Sequence, residues 1–110
     1  MKMSVVDVEK VDGIGLDNNE KDIVLLITDH LDWLNEYEHL MQLQNKINSY
    51  ISFIESEQYA EIYPNYQFTS IRIEIHFRYE PTQNCVNFID VVNKQLNEKK
   101  IAIKCIMVNK

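Results

Sequence analysis

The clearest pattern in the chain is a strict alternation. Ile71, Ile73, Ile75, Phe77 and Tyr79 alternate with Arg72, Glu74, His76 and Arg78. A period of two predicts a strand with one face on a core and the other in water. Ile23–Ile27 is an unbroken apolar run, which suits a central strand. Val11–Leu16 predicts another strand ahead of it. Gly13 and Gly15 inside that strand point to a bulge, an edge or a close backbone approach. Asp17-Asn18-Asn19-Glu20 between the two is turn chemistry, so the pair reads as a hairpin. A last strand is expected from Ile101 to about Val108, with Ile103, Cys105 and Met107 on its inner face.

Elsewhere the period changes to that of a helix. Leu40, Leu43, Ile47, Tyr50, Ile51 and Ile54 share one helical face, with Glu38, Gln42, Asn45 and Ser49 opposite. Asn35 with Glu38 three residues on fits a capping box, and Asp32 is an alternative cap. The pattern fades near Ser56. A second helix is expected after Pro81-Thr82, with Cys85, Phe88, Ile89, Val92 and Leu96 as its apolar stripe. Between the helix near Ser56 and the strand at Ile71 lies an aromatic connection, Tyr59, Tyr63, Tyr66 and Phe68, in which Pro64 disfavours helix.

The order is therefore β-β-α-β-α-β. It predicts an α+β fold in which residues 1–110 form one two-layer domain, with 1–10 as an extended lead-in. The sheet is expected to be mixed or antiparallel and four-stranded, with both helices on one face. The length of 110 residues fits one domain. No apolar run approaches a membrane span, and no secretory h-region is evident at the N-terminus, so the expected compartment is the cytoplasm.

Charge adds a direction. The net charge is −6, and residues 7–38 hold ten acids against two lysines, so that segment carries −8 and the remainder +2. Such a distribution disfavours nucleic acid as a partner and favours a basic protein.

Ile27-Thr28-Asp29-His30-Leu31-Asp32-Trp33, with Glu38-His39-Leu40 and Leu43-Gln44-Asn45-Lys46-Ile47-Asn48-Ser49-Tyr50, resembles a family of small bacterial proteins of unknown function. The likeness includes Val11-Asp12-Gly13-Ile14-Gly15 and extends through Phe53-Ile54-Glu55-Ser56 to Tyr63-Pro64. It implies a small cytoplasmic α+β domain and carries no reaction. The family commonly has glycine after the Glu-Ser helix end, where this chain has Glu57, which implies a different cap.

The candidate chemistry gathers at the strand-to-helix junction. Asp29, His30, Asp32, Glu36 and His39 offer imidazole and carboxylate within eleven residues. His30, Glu36 and His39 are the candidate metal ligands, although no HExxH-type spacing is present. The structural alternative is that Asp29 and Asp32 bond orphan amides at the helix start while His39 makes a satisfied core contact. Asp29, Asp32, Trp33, Tyr59, Tyr63 and Tyr66 are the candidate interface residues, with packing the simpler role for Trp33. His76 reads as a solvated neighbour of Glu74, and the Asp17–Asp22 loop as a solvated turn rather than a Ca²⁺ site. Cys85 and Cys105 read as buried reduced thiols. No catalytic residue is assigned and no cofactor is expected, because neither a nucleophile elbow nor a phosphate loop is present. The expected function is a non-enzymatic acidic binding protein, in its most concrete form an immunity- or antitoxin-like blocker of a basic protein. The alternatives are a metal-binding or acid/base enzyme using the Asp29–His39 cluster, and a homo-oligomeric structural protein.

Overall fold

A computed structural model describes residues 11–17, 22–62 and 70–108. The elements follow as β1 (Gly13–Leu16), β2 (Asp22–Asp29), α1 (Glu36–Glu55), β3 (Ser70–Phe77), α2 (Gln83–Leu96) and β4 (Ile101–Met107). They form one four-stranded sheet in the order β1-β2-β3-β4. β1 is antiparallel to β2, while β2, β3 and β4 run parallel. The expected α+β fold with a mixed sheet is what forms. The extended lead-in expected over residues 1–10 lies outside the described residues.

Period-two patterning decides which face is covered. Ile23, Leu25 and Ile27 of β2, Ile71, Ile73, Ile75 and Phe77 of β3, and Ile101 and Ile103 of β4 are buried on one face. Leu43, Ile47, Tyr50 and Ile54 of α1 and Cys85, Ile89 and Leu96 of α2 join them in a single cluster. Both helices thus lie on that face, each a crossover between parallel neighbours. The other face carries Val24, Leu26 and Thr28 beside Arg72, Glu74 and His76, all half-exposed.

The structure chooses among the alternatives for β1 and changes one expectation about β4. The β1–β2 register is one-to-one, so the glycines mark an edge strand rather than a bulge. A Cβ on Gly13 would come within 3.3 Å of Leu26 Cδ2, a close approach between neighbours on the open face. On β4 the alternation fails at the far end: Cys105 is exposed and Met107 is 44% exposed. Both sit on β4, the last strand of the sheet among the described residues, where inward register no longer ensures cover. The backbone of that edge is still partnered at one point, because Asn93 of α2 accepts from Ile103 N–H at 2.7 Å and donates to its carbonyl at 3.0 Å.

Candidate functional site

The junction between β2 and α1 is built around a buried acid–imidazole pair. Asn35 caps α1, its side chain accepting from the Glu38 amide at 3.4 Å, and its amide nitrogen donates to Glu38 Oε1 at 3.1 Å. The helix therefore starts at Glu36, and its first turn drops His39 onto the end of β2. His39 Nε2 lies 2.8 and 2.7 Å from the two oxygens of Asp29. Its Nδ1 lies 2.9 Å from the Asp32 carbonyl. A carbonyl can only accept, so Nδ1 carries a proton, while Nε2 and the carboxylate hold a second between them. Asp29 also accepts from the Leu31 amide at 3.1 Å, closing the turn.

Burial raises the Asp29 carboxyl above the ordinary aspartate range, against the opposing pull of its hydrogen bond to His39, the His39 charge, the Leu31 amide and the His30 charge. Trp33 seals the pair. Its ring stacks on His39 with centroids 3.6 Å apart and planes within 19°. Its indole N–H points to the Tyr79 carbonyl at 3.4 Å. The pair thus ties the end of β2 to α1, and Trp33 fastens both to the segment after β3.

A second buried pair, not anticipated from the sequence, anchors the edge strand. Lys46 of α1 donates to Asp12 at 2.9 Å, with their side chains 0% and 1% exposed. Asp12 also accepts from the amide of Thr28 at 2.8 Å and its hydroxyl at 3.2 Å. The Tyr50 hydroxyl accepts from the Asp12 amide at 2.7 Å and donates to the Leu26 carbonyl. Burial holds the Tyr50 phenol well above its ordinary value. The signal was present in the sequence: Lys46 stands between Leu43 and Tyr50 on the apolar face of α1, where an unpaired ammonium would be costly.

The candidate metal ligands do not converge. His39 has both ring nitrogens engaged, so it offers no lone pair to an ion. His30 is exposed on the far side of β2's end. Glu36 faces Asn84 of α2 at 3.4 Å. Among the described residues no three His, Cys, Asp or Glu side chains form a metal-sized group.

The interface candidates divide similarly. Asp29 is only 1% exposed and lies behind the surface, so it is withdrawn from that set. Asp32 is exposed and bonds the Leu34 amide at 3.2 Å, as its helix-start role requires. Trp33 is half-buried in its stack. Tyr59 falls in the 3-10 turn Gln58–Glu61, while Tyr63 and Tyr66 lie outside the described residues, as does most of the Asp17–Asp22 loop. Cys85 is buried as expected, and burial, with Cys105, Asp29 and Glu36 adding to it, pushes its thiol up to about 12. Cys105 corrects the expectation of two buried thiols.

One surface feature was not expected from the sequence, and another, His76 beside Glu74 on the wet face of β3, was. Leu34 is 93% exposed, Tyr37 76% and Met41 40%, and Tyr37 and Met41 lie one turn apart on the outer face of α1. Asp32 and Glu38 flank them in the open, with half-exposed Glu36 between. On the uncovered sheet face, Glu74 links Arg72 at 2.8 Å to His76 at 3.2 Å. Partial burial would raise the Glu74 carboxyl, but the hydrogen bonds and charges of His76 and Arg72 outweigh it and hold the group below its ordinary value.

Residues 3–109 match the model of a family of unknown function, DUF6572, and the chain belongs to that family. No curated protein and no solved structure matches. No helix among the described residues is long and apolar enough to cross a membrane.

Proposed function

We propose that this member of DUF6572 is a non-enzymatic binding protein that docks a basic protein on the surface around Leu34 and Tyr37. One observation carries the reading: large apolar side chains stand in the open inside a frame of carboxylates. Burying Leu34 and Tyr37 against a partner supplies apolar contact, and an aromatic anchor within a polar rim is the usual anatomy of such a patch. Asp32, Glu36 and Glu38 would meet Lys and Arg side chains, adding specificity and faster encounter. The most concrete form is an immunity- or antitoxin-like role in a bacterial cytoplasm, with carboxylates covering the basic working surface of a toxin.

The acid/base alternative draws less support. Its two central side chains, His39 and Asp29, are 2% and 0% exposed and already saturate each other. Self-association is the nearer rival, since the same apolar residues would also join two copies.

The test is affinity capture from host extract with the wild type and with a Leu34→Ser/Tyr37→Ser variant, followed by binding measurements on the purified partner. The expected result is a basic protein held only by the wild type, with affinity falling as salt rises. Equal capture by both proteins, or salt-independent binding, would overturn the reading. A mass that doubles with concentration in light scattering, lost in the variant, would replace it with self-association.

A further inference from the structure

We infer a small-anion site at the carboxyl ends of the three parallel strands, where His30, His76 and Arg78 border a hollow of about 330 Å³ completed by Thr28, Asp29 and Val108. The ligand class is a single carboxylate or phosphate group on a small molecule. The site is separate from the partner surface around Leu34 and does not depend on it.

Topology builds the hollow. Thr28 and His76 are register partners on the open face of β2 and β3. The parallel ladder then continues past both strands, with the Arg78 amide donating to the Asp29 carbonyl at 2.9 Å and the Val108 amide to the Phe77 carbonyl at 2.9 Å. These bonds bring the segments after β2, β3 and β4 side by side. Ligands of open parallel sheets commonly sit beyond the carboxyl ends of the strands. The volume lies at the small end of the range for ligand pockets.

The charge is unusual for this molecule. The chain carries −6 overall, yet two of its three histidines and an arginine meet here. Neither His30 nor Arg78 has a side-chain hydrogen-bond or ion-pair partner among the described residues; the Arg78 guanidinium lies 5.9 Å from the Tyr79 ring. Three carboxylates are nearby, and each is engaged: Glu74 with Arg72 and His76, Asp29 with His39, the Leu31 amide and the charge of His30, and Asp12 with Lys46 and Thr28. The guanidinium fork of Arg78 suits an oxyanion and His30 supplies a second donor, while the Thr28 hydroxyl is already committed to Asp12.

The test follows backbone amides by ¹H–¹⁵N spectra of the whole chain at about pH 6. Inorganic phosphate and propionate are titrated separately, with chloride holding ionic strength constant. The expected result is saturable shifts at residues 28–30, 76–78 and 108 with at least one of the two anions. Arg78→Ala should weaken that binding about tenfold or more, and Arg78→Lys less. Lys99→Ala, which removes the same charge elsewhere, should leave it unchanged. If Arg78→Ala perturbs the fold, His30→Ala serves as the second variant and should weaken binding in the same way. Shifts that rise linearly without saturating, or that respond equally to Lys99→Ala and Arg78→Ala, would overturn the site.

Discussion

Asp29 and His39 show how much one buried pair governs at the level of the residue. Each satisfies the other, and the Asp32 carbonyl and Leu31 amide take up the remaining groups. Removing one partner strands a buried polar group, and such losses cost about 3–5 kcal/mol. His39→Ala is therefore expected to lose that much in urea unfolding, a large share of the roughly 5–15 kcal/mol that stabilises a typical domain. Adding Asp29→Asn should restore part of it, because a neutral amide tolerates burial better than a lone carboxylate. Glu74 predicts a pH dependence of definite sign. Its folded-state pKa is depressed, so its contribution is present above the ordinary glutamate value of about 4.3 and is lost as pH falls through the lower folded value. The stability difference between the wild type and Glu74→Gln should accordingly hold at neutral pH and vanish in strong acid. Asp29 works in the opposite direction: its raised folded pKa gives a contribution fullest below the ordinary value and reduced as pH rises through the folded one.

The ends of elements carry the next set of consequences. α1 closes with Glu57 at φ 60°, and its amide bonds the Ile54 carbonyl. That left-handed position is where glycine ordinarily ends a helix. A Cβ there costs about 1 kcal/mol, so Glu57→Gly is expected to raise the thermal midpoint by a few degrees in calorimetry. The edge of β4 gives a contrasting case. Asn93→Leu would leave the Ile103 amide and carbonyl without their side-chain partner, and the expected outcome is concentration-dependent association through the opened edge, visible in light scattering. Element boundaries were legible because period, caps and turn residues agree: Asn35 and Thr82 sit where the helices were expected to start. Local pattern could not reveal which polar residues pair across the fold. Lys46 meets a residue 34 positions away, and Asn93 serves a strand edge whose existence depends on strand order. His39 was visible as an anomaly on an apolar face, but its two acceptors follow only from the tertiary turn at Asp29–Asp32. Exposure at Leu34 and Tyr37 was equally hidden, since sequence does not say which apolar side chains lack a neighbour.

For the molecule as a whole, polarity is sorted by face. The helical layer and the inner sheet face share one apolar core, the start of α1 presents apolar residues among carboxylates, and the outer sheet face presents Arg72, His76 and Lys104 around Glu74. The sorting leaves the single tryptophan at a crossroads, against His39 of α1, near Phe77 of β3, and directed at the Tyr79 carbonyl. Its light emission is thus a built-in gauge of whether these three pieces are seated together. Denaturant should shift that emission to longer wavelength in step with the loss of circular dichroism from the helices, and a shift that came earlier would mark the junction as the first part to open.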